Sequence, residues 1–271
     1  MKFFKEWKDP GIAVITGASS GFGAEYGRQL AREGFDTLLV ARREEKLEEV
    51  KDELDKIGGK HEILVADLSM ENDIGKLEEK IRSLDNLDLL INNAGFATLK
   101  PFQDVEMTQQ LEMLALHTVA PVKLTRAAID VMIKRKRGII INVSSMGIFS
   151  WSPNSVLYNS TKAFQRVFSE TLSLDLKGTG IKVQALCPGF THTGIHYVRD
   201  FKKFGFDKSA LPDEWWMDAD TVVKGSLDAL QTNLVTYIPG EINRKRYRMY
   251  LDRDEKTYQK MLKNAEKLGT L

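Results

Sequence analysis

Tyr158-Asn-Ser-Thr-Lys162 sets a phenol and an ammonium four residues apart, hence on one face if the segment is helical. An ordinary tyrosine is only ~0.1% ionised at pH 7. A neighbouring cation typically lowers such a pKa by ~1–3 units, which would let Tyr158 exchange a proton with an alcohol or carbonyl oxygen. Ser145 stands just past an apolar run ending at Val143, where its hydroxyl could donate to the same oxygen. A second constellation is Thr16-Gly-Ala-Ser-Ser-Gly-Phe-Gly23, between an apolar run and a helical pattern. There Gly17, Ser19, Ser20, Gly21, Phe22 and Gly23 could form a tight turn whose backbone N–H groups meet a pyrophosphate at a helix N-terminus. The spacing is Gly-x-x-x-Gly-x-Gly, not the G-x-G-x-x-G fingerprint. Gly17–Gly21 also reads as G-x-S-x-G, a nucleophile elbow with Ser19 and His192 or His196 as base. Only one strand precedes it, whereas that elbow sits in mid-sheet, so phosphate binding is the better reading.

The next apolar run ends Val40-Ala41-Arg42-Arg43. A site for NAD usually carries an acid about 20 residues past the glycines, on the ribose 2′-hydroxyl; an arginine nearby accommodates a 2′-phosphate instead. Ala41 holds the acid's place, and Arg42 and Arg43 follow. The expectation is therefore NADP(H) rather than NAD(H).

The elements that must position these groups alternate along the chain. Gly11–Thr16, Asp36–Ala41, His61–Ala66, Asp88–Ile91, Gly138–Val143, Ile181–Leu186 and Leu234–Ile238 are strand-length apolar runs. Near-continuous Val/Ile/Leu strands suit a parallel sheet covered on both faces. Glu44–Ile57 sets Leu47, Val50, Leu54 and Ile57 at helical steps, and Met70–Leu84 repeats the pattern. The expectation is an α/β single domain with a doubly wound parallel sheet of about seven strands, binding ligands outside the strands' carboxyl ends. Residues 1–10 form a lead, 11–240 the domain, and 241–271 a charged helical tail. Within the domain, 190–217 is a long aromatic excursion with no clear strand.

Composition narrows the class. The 271 residues are 42% hydrophobic and carry 39 Lys+Arg against 38 Asp+Glu. A net charge of +1 argues for neither nucleic acid nor membrane surface. No stretch approaches the ~18 apolar residues of a span. The start is too charged for a signal peptide, and the single Cys187 forms no internal disulfide, so a reducing, cytoplasmic setting is expected. The four histidines lack metal-site spacing, so no metal is expected, although His192 and His196 are four apart. The Arg244–Arg248 cluster is followed by acids and reads as a solvated helix face.

Taken together, Thr16–Gly23, Asp67-Leu68, Asn92-Asn-Ala-Gly95, Ser145, Tyr158-x-x-x-Lys162 and Pro188-Gly-Phe-Thr-His-Thr193 resemble the short-chain dehydrogenase/reductase family over roughly 11–240. The resemblance implies a Rossmann-type fold, with Asp67 and Leu68 near adenine and Asn93, Ala94 and Gly95 beside the cofactor. It implies Tyr158 as acid/base, Lys162 on the nicotinamide ribose and Ser145 on the substrate oxygen. Pro188, Gly189, Thr191 and Thr193 would lie near the nicotinamide and phosphates, and Ala41-Arg42 is similar to the family's NADP-preferring pattern. The family also implies a homodimer or homotetramer. One position departs: His117 stands where the family usually has a relay asparagine. It could be an active participant or a satisfied core histidine.

The reading that follows is an NADP(H)-dependent carbonyl reductase or alcohol dehydrogenase. Its substrate would be a small apolar carbonyl or alcohol. Phe149, Trp151, Phe190, Tyr197, Phe201, Phe204, Phe206, Trp215 and Trp216 are candidates to close over it. The alternative is a nucleotide-binding sensor or scaffold with little catalysis.

Overall fold

In a computed structural model of the chain, the structure describes Phe4, Trp7 and residues 9–149, 153–193 and 211–252. Strands β1 (Ile12–Thr16), β2 (Asp36–Ala41), β3 (His61–Val65), β4 (Leu87–Asn92), β5 (Gly138–Val143) and β6 (Ile181–Leu186) alternate with helices. These are α1 (Gly21–Arg32), α2 (Glu44–Asp55), α3 (Glu71–Arg82), α4 (Met107–Leu114), α5 (Ala120–Arg135) and α6 (Val156–Asp175). Between β6 and the last helices lie β7 (Thr191–His192), β8 (Met217–Asp218), α7 (Ala219–Ala229), β9 (Thr236–Tyr237) and α8 (Glu241–Leu251). Seven parallel strands order as β3-β2-β1-β4-β5-β6-β9, the doubly wound sheet expected from the sequence. The order reverses between β1 and β4, so a crevice opens at their carboxyl ends.

The strand period of two sorts the core. Ala13, Ile15, Leu39, Leu89, Ile91, Ile139 and Ile141 bury with α1, α2 and α7. Val14, Leu38, Val40, Leu90, Ile140 and Val183 bury with α3, α5 and the end of α6. Leu87 and Leu89 fall on opposite faces although two residues apart. The register explains this: Ile12 pairs with Leu87 and Ala13 with Leu89, leaving Asp88 as a bulge residue. Its buried carboxylate accepts the Gly11 N–H at 2.7 Å, and Arg135 and Arg137 pair with it at 3.1 and 2.6 Å. This ion triad closes the amino end of the sheet, away from the crevice.

Three sequence expectations need adjustment. The 190–217 excursion does hold strands, because Thr191–His192 pairs with Met217–Asp218 outside the main sheet. His192 is therefore extended, not helical; His196 lies outside the described residues. The last sheet strand shortens to Thr236–Tyr237, and Ile57 lies past α2 at 40% exposure rather than on its buried face. Trp151, Tyr197, Phe201, Phe204, Phe206 and the tail from 253 on also lie outside the described residues. No helix among the described residues is long and apolar enough to cross a membrane.

Candidate active site

The sequence-selected catalytic and cofactor residues lie beyond the carboxyl ends of β1 to β6, in the turns there, on the first turns of α1 and α6, or in β7 and its flanks. After β1 the chain turns at Gly17, whose φ of +67° is unfavourable for any residue with a Cβ. A Cβ there would also stand 2.8 Å from Asn93 Nδ2 and 2.9 Å from Ala94 Cα. The loop after β4 is thus pressed against the glycine turn. Asn93 Nδ2 donates to Thr16 O at 2.9 Å, while the Asn93 and Ala94 N–H groups donate to Thr16 Oγ1 at 2.9 and 3.0 Å. Thr16 therefore clamps β1 to β4 at the switch point, and Asn93 spends its amide on the turn.

The turn leads into α1, whose first turn has no acidic residue and whose cap residue Ser20 makes no capping bond. Free N–H donors with the positive end of the helix dipole suit an anion. Ser19 and Ser20 instead each accept a bond from Arg43 Nη2 at 3.0 Å. Arg42 pairs with Asp67 at 3.3 Å. Burial would raise the Asp67 carboxyl, but bonds from the Ser69 hydroxyl and N–H, together with Arg42, hold it below the usual range. Leu68 beside it is buried. Two guanidinium groups, two hydroxyls and a helix N-terminus at one rim fit a phosphorylated dinucleotide. The partner of Ser19 is an arginine, which suits anion binding rather than the elbow reading.

Across the crevice, Ser145 follows β5 and its Oγ accepts the Gly147 N–H at 3.0 Å. Tyr158 is half-buried, and its phenol neighbours the Ser145 side chain. Desolvation raises the phenol's pKa and the Ser145 side chain offsets only part of the rise. This corrects the expectation that Lys162 draws the phenol down: desolvation dominates here. Lys162 itself is pushed down to about 7 by burial. Its Nζ donates to Val143 O at 2.7 Å and Gln165 Oε1 at 3.0 Å, both neutral acceptors. Ser144 Oγ ties the Lys162 carbonyl at 2.7 Å, fixing α6 to the end of β5.

His117 sits in a π-helical turn, Ala115–Val119, joining α4 to α5. Pro121 has no N–H, so the His117 carbonyl lacks its α-helical donor and the helix widens at that point. The imidazole is wholly buried and both ring nitrogens are bonded, Nε2 to the Phe96 N–H at 3.2 Å and Nδ1 to Thr161 Oγ1 at 2.9 Å. Burial, then Lys162, holds its pKa well below that of a free histidine.

On the third side, Pro188 O accepts the Met146 N–H at 2.8 Å, Gly189 O accepts Thr191 Oγ1 at 3.1 Å, and Thr193 N bonds Thr191 O at 2.7 Å. A Cβ on Gly21 would lie 3.3 Å from Thr193 Cβ, so this loop folds back to the glycine turn. Phe190 packs on Trp216 at 5.3 Å and Trp216 on His192 at 5.2 Å. Phe149 does not line a mouth; it is buried against Tyr247 and Tyr250. Cys187 is buried, and burial pushes its thiol up to about 12. Nor is the Arg244–Arg248 cluster wholly solvated, because Arg246 lies 4.7 Å over the Trp215 ring. Among the described residues no group of three His, Cys, Asp or Glu could hold a metal ion.

Sequence reasoning passed over Thr161, Gln165 and Ser144. Thr161 and Gln165 lie three residues after Tyr158 and Lys162 on the same helix, which is the spacing that could have found them.

Residues 11–201 match a family model described as short chain dehydrogenase. A fatty acyl-CoA reductase of Acinetobacter baylyi is 37% identical over 219 residues, 78% of this chain and 72% of the relative. The NADP-dependent 3-hydroxy acid dehydrogenase YdfG of Escherichia coli is 35% identical over 184 residues, 66% of this chain and 71% of its own length. Among solved structures, a short-chain dehydrogenase from Sphingobium yanoikuyae in complex with NADPH superposes with a TM-score of 0.77 at 31% identity, covering 91% of this chain and 97% of its own.

Proposed function

The chain belongs to the short chain dehydrogenase family, and we propose that it is an NADP(H)-dependent oxidoreductase acting on a ketone or aldehyde or on the matching secondary alcohol. The observation that carries this reading is the neighbouring Ser145 and Tyr158 side chains with Lys162 one turn on, at the carboxyl end of the sheet. When bound, the cofactor supplies or accepts the hydride. Tyr158 moves the proton. A phenol kept protonated by desolvation is equipped to give it to a carbonyl oxygen, and the Ser145 hydroxyl orients that oxygen. Lys162 lies where a ribose hydroxyl could replace Gln165 as its acceptor.

The Gly17–Gly23 turn and the α1 N-terminus would hold the pyrophosphate, and Arg42 and Arg43 the 2′-phosphate. Asp67 and Leu68 would flank adenine, with Asn93, Ala94 and Gly95 along the cofactor and Pro188, Gly189, Thr191 and Thr193 on the nicotinamide side. The NADPH-bound structural neighbour and the NADP-dependent E. coli relative support this choice. Aromatic Phe190 and Trp216 support a small apolar substrate. Exposed Met107 and Leu111 on α4 and Phe164 and Val167 on α6 support a homodimer or homotetramer that covers them. The lone buried thiol suits a reducing cytoplasm.

The test is a panel of aldehydes and ketones followed by NADPH absorbance, with NADPH binding measured in parallel. Tyr158→Phe is expected to abolish turnover and leave binding within about twofold, since only the hydroxyl is lost. Tight NADPH binding with no turnover across the panel would favour a nucleotide sensor instead.

A further inference from the structure

His117 lies between two parts of the site that are distant in sequence. The Phe96 backbone N–H can only donate, so Nε2, its acceptor at 3.2 Å, carries the lone pair and Nδ1 carries the hydrogen. That hydrogen is donated to Thr161 Oγ1 at 2.9 Å, and the Thr161 hydroxyl donates in turn to Tyr158 O at 3.0 Å. Three bonds therefore run in series from the loop after β4 to the backbone of the reacting tyrosine. The approach needs a glycine, because a Cβ on Gly95 would stand 2.7 Å from Nε2. The Tyr158 and Phe96 rings flank the imidazole at 6.1 and 6.0 Å, and Lys162 is the charge that faces it. A second proton on Nε2 would oppose the Phe96 N–H directly.

We propose that His117 is a positioning residue which, as its Nδ1–H tautomer, ties the cofactor-side loop to the α6 turn bearing Tyr158 and Lys162 through Thr161. The inference rests on Tyr158 and Lys162 being the reacting pair. It assigns the imidazole a fixed link, not a proton-storing station where the family resemblance places a relay asparagine.

The test combines kinetics with a readout that needs no turnover. Thr161→Val removes the middle hydroxyl at constant shape, and Thr161→Ser restores it. Thr161→Val and His117→Gln are each expected to lower kcat about 10-fold, with KM for NADPH within about twofold, because a small misplacement of the reacting group acts on the chemical step. Thr161→Ser should return most of the loss. The double variant should be no slower than the slower single one, since both break one chain of bonds; multiplied losses would refute the link. In 15N-histidine-labelled wild-type protein, His117, assigned by proximity to the Phe96 amide, should show Nδ1 protonated and Nε2 bare from about pH 5 to 8. An Nε2–H tautomer, or titration in that range, would overturn the proposal whether or not the protein folds as a variant. If Tyr158→Phe keeps full turnover while the tautomer holds, the catalytic reading fails and the link does not.

Discussion

Arg43 should carry more of the preference for NADPH than Arg42, because their present partners differ. Arg43 Nη2 is held at 3.0 Å by two neutral hydroxyls, Ser19 and Ser20, which leave its charge unmatched. Arg42 is already paired with Asp67, and its side chain is 64% exposed. A bond from a guanidinium to phosphate contributes about 1.5–3 kcal/mol when preset, and an exposed pair about 0–1 kcal/mol. Arg43→Ala should therefore weaken NADPH by about 10- to 100-fold, and Arg42→Ala by no more than about fivefold. NADH, lacking the phosphate, should change by less than about threefold in both. Fluorescence titration of each variant with both nucleotides at fixed salt decides the matter. Equal losses for NADH and NADPH would refute the phosphate assignment, and a larger loss at Arg42 would refute the argument from partners.

Two further outcomes concern stability. Asp88→Asn leaves Arg135 and Arg137 facing a neutral bulge, and breaking such a buried set costs about 3–5 kcal/mol; urea unfolding should show it with NADPH affinity unchanged, and a loss under about 1 kcal/mol would contradict the triad's role. Lys162 has a folded pKa of about 7, below the ordinary 10.5, so between these values the unfolded chain binds more protons and stability rises with pH. Lys162→Met should remove a slope of at most about 1.4 kcal/mol per pH unit between pH 7 and 9, where the Cys187 thiol contributes equally to both proteins and cancels in the comparison; identical slopes in the two proteins would exclude a depressed lysine.

The sheet was readable from sequence because its strands are continuous apolar runs that need cover on both faces, as Ile139, Ile140 and Ile141 illustrate. β7 and β8 were not, since a two-residue strand has no period to detect and its partner lies 26 residues away. The glycine turn and the shared helical face of Tyr158 and Lys162 were legible because a left-handed turn restricts residue type and a helix fixes the four-residue spacing. The sign of the Tyr158 shift was not. Spacing shows that a cation is near but says nothing of desolvation, and here desolvation raises the phenol and depresses the lysine as well. The π-turn was half-visible: Pro121 four residues after His117 removes one helical bond, yet only packing decides whether the helix kinks, breaks or widens.

The two ends of the sheet divide the labour of polar burial. At the amino end, Asp88, Arg135 and Arg137 satisfy each other and Gly11, a closed set with no acceptor left over for a ligand. At the carboxyl end, apart from the exposed Arg42–Asp67 pair, the polar groups rest on neutral partners that a ligand could exchange. Arg43 rests on serine hydroxyls, Lys162 on a carbonyl and an amide, and Tyr158 on Ser145. Beneath them, Asn92 and Asn142 join across β4 and β5 at 2.8 Å and extend to Thr125 and Ser169, anchoring the strand ends to α5 and α6. Exchangeable cations on a rigid, internally bonded floor are what a charged cofactor requires, because the groups that meet it need little reorganisation. A closed ion set such as Asp88's would have to break first. That difference supports the carboxyl end as the place of the proposed chemistry, independently of any motif.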